Sequence, residues 1–437
     1  MIMSNQYQTE LDSWLNRIEQ NHPSEIEMGL DRTLTVYSKL RKKRLAKRIV
    51  VVAGTNGKGS TIAAMERLLL DAGQRVGVYT SPHIKAYNER VRIDGELIDN
   101  KRLVDSFNEV EQARGGTPLT YFEFGTLSAL CCFQKEDLDV VLLEVGLGGR
   151  LDAVNIVDAD LSIITSVDID HIEWLGDNRE SIGFEKAGIF RQGVPAIYGE
   201  GNPPHSVIQQ ANAQQINLLT YQQHFGMGAQ ENNSSNQYDW LYQPQRQHQS
   251  QRTTAYIAQP DGESKDISMP FSLLPESNLL TAVQAMQCLG YAVDNEQVHQ
   301  SLDGFAVDGR FQVYDTDPLV LLDVGHNPHA AKFLASRLAG IKRNRPVYGV
   351  FSMLADKDVQ GVIEGLGSQI TEWHVAPLVC DRAMAISEIC EGLTRYNQVY
   401  FEHDSLDMAY QKARNAAKQN DGIVMCFGSF HVVSDID

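Results

Sequence analysis

At 437 residues and 43% hydrophobic content, the chain is too long for one compact core and has a globular composition, fitting two domains or one large one. A formal charge of -18, from 56 acidic against 38 basic residues, excludes an extended nucleic-acid surface, so an anionic ligand must meet locally placed donors. No apolar run is long enough to span a membrane, MIMSNQYQTELDSW lacks a signal-peptide profile, and the six cysteines show neither metal-site nor disulfide spacing. The expectation is a cytoplasmic protein with reduced thiols, the adjacent Cys131 and Cys132 buried in an apolar segment.

In chain order, the first feature is EMGL (Glu27, Met28, Gly29, Leu30), which by composition alone starts a helix after the helix-disfavouring HPS. The basic run KLRKKRLAKR, Lys39 to Arg48, is expected as a solvated helix face leading into a strand. Buried-strand runs then alternate with helical stretches: RIVVVAG, STIAAMERLLLDAG, RVGVYTS, DVVLLEVG and LSIITSV. That alternation implies a parallel sheet covered by helices.

VVAGTNGKGS, residues 51–60, resembles a phosphate-binding loop, but Gly59 separates Lys58 from the Ser60 hydroxyl that normally follows it. A strand ending at Ala53, a turn holding Gly54 and Gly57, and a helix opened by Ser60 still supply every component. Backbone N–H groups and the helix N-terminus attract phosphate oxygens, Lys58 neutralises them, and the hydroxyl can face Mg2+. A magnesium–nucleotide site also needs a carboxylate beside the loop, and Glu144 follows four apolar residues at the end of DVVLLEVG. LSIITSVDIDHIEWLG is read as a third strand ending in Asp170 and His171, and SIGFEKAGIF as a short helix bearing Lys186. Each polar group alone reads as a solvated or hydrogen-bonded residue. Their emergence from successive strand ends favours a site.

Residues 222–254 are rich in Gln and Asn and are expected to form a surface excursion without chemistry, with a loose hairpin around Trp240 and Leu241. NLLTAVQAMQCLG reads as a helix, and the turn signals of SLDGFAVDGRFQ mark a junction between domains 1–306 and 307–437. A second alternating series, from LVLLDVGHN to IVMCFGS, predicts a smaller doubly wound Rossmann-like domain. The expected fold class is thus α/β, a P-loop-type mostly parallel sheet domain followed by this second one.

GTNGKGS, YTSPHIKAYNERVRI, LTYFEFGTLSAL, LEVGLGGRLDAVNIV, DHIEWLG, IGFEKAGIF, GRFQ, DVGHNPHA, DKD and GSFH occur in the order and approximate spacing of the bacterial folylpolyglutamate synthases, including the bifunctional dihydrofolate synthases. The chain resembles this family over nearly its whole length, and the GKGS form of the loop is shared with the Mur peptide ligases. The resemblance implies an ATP-dependent amide ligase that requires Mg2+ and adds L-glutamate to dihydropteroate and to tetrahydrofolate, working as a monomer.

It also implies roles residue by residue. Gly54, Thr55, Asn56, Gly57, Lys58, Gly59 and Ser60 would hold the ATP phosphates, and Asn278, Arg310 and Asp323 the rest of the nucleotide. Ser81, Glu144 and His171 would ligate the metal, and Lys186 would be carbamylated. Lys58, Lys186, His171 and His326 form the catalytic set, with the glutamate near His326 and Ser429. The pterin would meet Glu27–Leu30, the TYFE residues Thr120, Tyr121, Phe122 and Glu123, and Leu151, Asp152 and Ala153. Gly325 stands where relatives often carry alanine and Ser277 where proline is frequent. The competing readings are a polyglutamate synthase only, a cell-wall precursor ligase, which TYFE and EMGL disfavour, and a nucleotide-binding switch, which has no use for a second domain with nucleotide-contacting residues.

Overall fold

The computed structural model describes residues 2–20, 22, 27–228 and 252–436. Its N-terminal domain is built on eight strands: β1 (Ala46–Ala53), β2 (Val76–Tyr79), β3 (Val91–Ile93), β4 (Glu96–Leu97), β5 (Leu138–Glu144), β6 (Leu161–Ile164), β7 (Ala196–Tyr198) and β8 (Leu218–Thr220). Their order is β4-β3-β2-β5-β1-β6-β7-β8, parallel except where β3 and β4 pair antiparallel at one edge. Side chains of β1 alternate between two cores, as strand geometry demands. Val50 and Val52 pack with helices Lys58–Asp71 and Glu276–Cys288, while Val51 and Ala53 pack with helices Asn100–Arg114 and Tyr121–Gln134. Coverage on both faces explains why these strands read as unbroken apolar runs.

A small antiparallel sheet follows, β9 (Gly226–Met227), β10 (Arg252–Ala258) and β11 (Ser264–Pro270), in the order β11-β10-β9. It corrects the expectation of a surface excursion at both ends of the Gln/Asn-rich stretch. Phe225, Ala255, Ile257, Ile267 and Met269 are buried in the second core, so apolar residues at alternate positions tie this sheet down. The hairpin expected at Trp240 and Leu241 lies outside the described residues.

The C-terminal domain has six strands, β12 (Gln312–Thr316), β13 (Leu319–Asp323), β14 (Val347–Phe351), β15 (Glu372–Val375), β16 (Tyr400–Glu402) and β17 (Ile423–Phe427). The order is β12-β13-β17-β14-β15-β16, with only β12 antiparallel. Phe351, Trp373 and Phe427 meet in its centre with ring centroids 4.9 to 5.6 Å apart.

The basic run is a second correction. The helix Asp31–Leu40 stops before most of it, and the rest forms a turn and the start of β1. Its cations reach acids far away in sequence: Arg44 to Asp160 at 2.5 Å, Lys47 to Asp139 at 2.6 Å, and Lys42 to Glu109 at 4.0 Å. Arg44 and Lys47 bind acids at the amino-terminal ends of β6 and β5, and Lys42 reaches helix Asn100–Arg114. Cys131 and Cys132 are buried free thiols, as expected. Among the described residues, no helix is long and apolar enough to cross a membrane.

Candidate active site

The segments that follow β1, β5 and β6 meet those that follow β13 and β17 around one cavity, and ligands of open α/β sheets bind at such ends. After β1 the chain must turn sharply. Gly54 has φ +155°, and a Cβ there would sit 1.9 Å from Thr165 Oγ1; Gly57 has φ +86°, and its Cβ would sit 2.5 Å from Asn278 Oδ1. Both positions therefore need glycine. Gly57 caps a helix that begins at Lys58, two residues before the expected Ser60, which turns the first-turn N–H groups toward the cleft.

The loop is held by the segment after β6. Thr55 N donates to Ser166 O at 2.9 Å, Asn56 N to Ser166 Oγ at 2.9 Å, and Asn56 O accepts from Thr165 Oγ1 at 2.6 Å. Lys58 Nζ donates back to Gly54 O at 3.0 Å and Thr55 O at 3.4 Å. Loss of solvent pulls its pKa down, while Glu144 opposes that shift. A lysine curled onto its own loop is preloaded for phosphate oxygens at the same place.

Glu144 ends β5, is buried, and accepts from Ser81 N at 3.1 Å. Burial raises its pKa, with Lys58 the main opposing charge. Asp170 and His171 lie beyond the end of β6 at Ile164, not at the strand end expected from sequence, because Thr165, Ser166 and Asp168 are spent on gripping the loop. His171 adopts a left-handed conformation, φ +53°, at the start of the short helix Ile172–Leu175, and burial pushes its pKa down to about 4.

Ser81, Glu144 and His171 border one cavity of about 340 Å³ with the loop residues Thr55 to Ser60. No cluster of three His, Cys, Asp or Glu side chains closes a cage among the described residues. Magnesium suits that arrangement, since it usually takes one or two carboxylates and fills its sphere with phosphate oxygens and water. The buried, otherwise under-compensated Glu144 carboxylate is the anchor such an ion requires.

The same cavity is bordered by Asn278 and, from the C-terminal domain, by Arg310, Asp323, His326, His329 and Phe430. Arg310 lies over the Phe430 ring, its guanidinium 5.3 Å from the centroid. Both Asp323 oxygens are engaged, Oδ2 by Phe311 N at 2.7 Å and Oδ1 by Gly325 N at 2.6 Å, which fixes the carboxylate at the cavity wall. His326 Nδ1 donates to Val324 O at 2.9 Å, and burial lowers its pKa to about 4, so a neutral ring presents a bare Nε2. Ser429 is buried beside the site, its Oγ accepting from His431 N at 3.1 Å; the cavity itself meets the next residue, Phe430.

Lys186 sits on helix Arg179–Ala187, 3% exposed. Burial, helped by the charge of Lys58 and opposed by Asp170 and Asp152, brings its pKa down to about 7. Lowering the pKa this far raises the share of neutral amine, the form that reacts with CO2.

The three segments expected to meet the pterin come together at the turn 146–148, just past Glu144. The Phe122 ring lies where a Cβ on Gly146 would go, at 2.6 Å, while Leu175 and Met28 flank Gly148. Asp152 accepts from Gly146 N at 3.0 Å, Leu147 N at 2.9 Å and Val154 N at 2.9 Å, and burial raises its pKa to about 7. Thr120 and Glu123 form a capping box on helix Tyr121–Gln134. Glu123 also accepts from Thr33 Oγ1 and Arg32 Nε, each at 2.8 Å, and Arg32 bonds Glu27 in turn. Leu151 is half-buried and Ala153 buried in the same stretch.

Sequence reasoning assigned no role to Arg32, Asn327 or Lys357. Asn327 and Asn56 exchange amide hydrogen bonds across the cleft at 3.1 and 2.9 Å, and Lys357 Nζ donates to Asp170 Oδ1 at 2.8 Å. The HN pair and the DKD stretch were visible in the sequence, but nothing local to them points at residues more than 150 positions away.

Residues 52–289 match the Mur ligase middle domain, and residues 309–430 the Mur ligase glutamate ligase domain. The chain is 40% identical over 426 residues to the dihydrofolate synthase/folylpolyglutamate synthase of Escherichia coli (strain K12), covering 98% of this chain and 94% of that one. The Haemophilus influenzae protein of the same name is 38% identical, with 97% and 96% coverage. Among solved structures, E. coli FolC in complex with DHPP and ADP aligns with a TM-score of 0.88 at 38% identity, covering 98% and 96%. The Yersinia pestis bifunctional enzyme complexed with AMPPNP and Mn ion aligns at 0.86 and 39% identity, covering 98% and 97%.

Proposed function

The chain belongs to the dihydrofolate synthase/folylpolyglutamate synthase family of Mur ligases, and from that membership we propose that it joins L-glutamate to dihydropteroate and to tetrahydrofolate at the expense of ATP. The observation that carries this reading is the meeting of a phosphate loop, a buried carboxylate and the C-terminal domain's Arg310 around one cavity, with the TYFE, EMGL and LDA segments converging beside it.

A carboxylate resists amines because oxide would have to leave. The substrate carboxylate therefore attacks the γ-phosphorus of ATP, forming a C–O–P bond as the bond to ADP breaks. Lys58, the helix N-terminus at Gly57 and Arg310 spread the negative charge that develops. Magnesium, held by Glu144, Ser81 and His171 together with phosphate oxygens, would supply further charge neutralisation. The amine of L-glutamate then attacks the acyl carbon, a C–N bond forms, and inorganic phosphate leaves with the C–O bond pair. His326 offers its bare Nε2 to hydrogen-bond the incoming amine, with Ser429 nearby for the glutamate. Asn278 and Asp323 border the nucleotide, and the domains 1–306 and 307–437 exclude water when they close, since acyl phosphates hydrolyse.

Lys186 is carbamylated in this reading: its neutral amine adds to CO2 and loses a proton, turning a buried cation into an anion facing Lys58. Intact-protein mass in bicarbonate, with and without Lys186→Met, checks this by the increment of one CO2. The protein is proposed to act as a cytoplasmic monomer, which size-exclusion chromatography with light scattering would test for oligomeric state.

Product masses from ATP, L-glutamate and either dihydropteroate or tetrahydrofolate test the substrate assignment. One added glutamyl unit on each supports it. A product from tetrahydrofolate alone reduces the enzyme to a polyglutamate synthase, and none from either removes the assignment.

A further inference from the structure

We infer that Lys357 is a positioning residue for the ligase reaction, acting from the C-terminal domain on the turn that presents His171 in the N-terminal domain. The inference rests on the proposed function, and the wild-type activity assay tests that reading separately.

Lys357 follows β14 in the LADKD stretch, and its side chain is 5% exposed. Its ammonium donates to Asp170 Oδ1 at 2.8 Å, lies 3.5 Å from His171 Nε2, and stands 3.5 Å from Asp356 Oδ2, while Arg382 holds the other oxygen of that carboxylate, Oδ1, at 2.9 Å. Asp170, itself 10% exposed, is otherwise met from the same domain: Asn327 Nδ2 donates to Oδ2 at 3.3 Å and His326 Nε2 lies 3.8 Å away. The oxygen that Lys357 grips has a second partner. Asp170 Oδ1 accepts the backbone N–H of His171 at 2.9 Å.

A continuous path therefore runs from Lys357 through one carboxylate oxygen to the main chain of His171. His171 is a β-carbon-bearing residue at φ +53°, in the left-handed region that such residues adopt uncommonly. The Asp170 carboxylate imposes it locally, and Lys357 fixes where that carboxylate points. Because the lysine comes from the opposite domain, His171 is correctly aimed only when the two domains are docked. The arrangement gives the DKD stretch a task that nucleotide contacts do not, since Lys357 does not border the cavity.

The test is a double-mutant cycle with Lys357→Met, which keeps the length and removes the charge, and Asp170→Asn, read as steady-state kinetics and melting midpoints. Each single variant is expected to lose about 100-fold in kcat, with KM for ATP and for L-glutamate within about threefold of wild type, because misorientation costs turnover more than binding. The double variant is expected to be no worse than the poorer single one, and Lys357→Arg to recover at least about tenfold of the Lys357→Met loss. Three results would overturn the inference: losses that multiply in the double variant, a rise of about tenfold or more in KM for L-glutamate with kcat retained, or unchanged kinetics in Lys357→Met. The second would make Lys357 a direct substrate contact. If Lys357→Met does not fold, the same cycle is run with Lys357→Arg, where non-multiplying losses support the path and multiplying losses refute it.

Discussion

The two walls of the cleft are built on the same plan and stabilised in opposite ways. Both are carboxyl ends of parallel sheets, but on the N-terminal wall the loop is gripped by its own domain: Thr55 and Asn56 are tied to Ser166 and Thr165, and Lys58 to Gly54. On the C-terminal wall Asn327 and Lys357 find their partners across the gap, in Asn56 and Asp170. The difference teaches that the loop's main chain is set by its own domain, while the facing wall reaches it only through side chains, at Asn56 and Asp170. In the proposed reaction, preorganised donors would stabilise the transferring phosphoryl group without reorganisation, and closure of the facing wall would exclude the water that hydrolyses an acyl phosphate.

Removing a charge from the preorganised wall should have the largest effect. Lys58→Ala is expected to lower kcat by about a thousandfold or more while leaving the circular dichroism spectrum and melting midpoint near wild type. Near-wild-type turnover would mean the triphosphate binds elsewhere. Glu144→Ala comes next, with a loss of about a hundredfold to a thousandfold in turnover and a higher magnesium requirement in a metal titration. An unchanged metal dependence would remove Glu144 from the ion's surroundings.

A smaller effect separates the buried interior of the N-terminal wall from its surface. Burial holds the Lys186 pKa at about 7 against an ordinary 10.5. Between those values the unfolded chain carries the extra proton, so Lys186 adds a component of stability that rises with pH through this window, and the cost of burying the charge is full below about pH 7. Urea midpoints from pH 7 to pH 9 in CO2-free buffer should therefore climb more steeply for wild type than for Lys186→Met; equal slopes would place the amine in contact with solvent. The smallest change is Arg44→Ala, which breaks the exposed pair with Asp160 and should cost less than about 1 kcal/mol in denaturant unfolding, with kinetics unchanged.

Much of this was legible in the sequence because it is local. Strands β1, β5, β13 and β17 read as apolar runs because both faces of each sheet are covered, and Gly54 and Gly57 mark the loop because only glycine fits a positive φ against Thr165 and Asn278. The resemblance to the folylpolyglutamate synthases extended this to Ser81, which no local pattern selects. What stayed hidden depends on long-range pairing. The basic run looked like a helix face because its partners Glu109, Asp139 and Asp160 lie far along the chain, and they fix it as a turn and a strand start. Asp170 and His171 looked like a strand end because nothing in LSIITSV reveals that Thr165 and Ser166 turn away to hold Asn56. Lys357 was visible only as a lysine between two aspartates.

The central claim is that the two walls together activate a carboxylate as an acyl phosphate for capture by glutamate. Its most direct test is to incubate the purified protein with ATP, magnesium, L-glutamate and dihydropteroate labelled with ¹⁸O in its carboxylate, and to weigh the phosphate released. The account predicts that one labelled oxygen per turnover appears in phosphate, matched by one glutamylated product. Unlabelled phosphate, or phosphate released without glutamylated product, would contradict it.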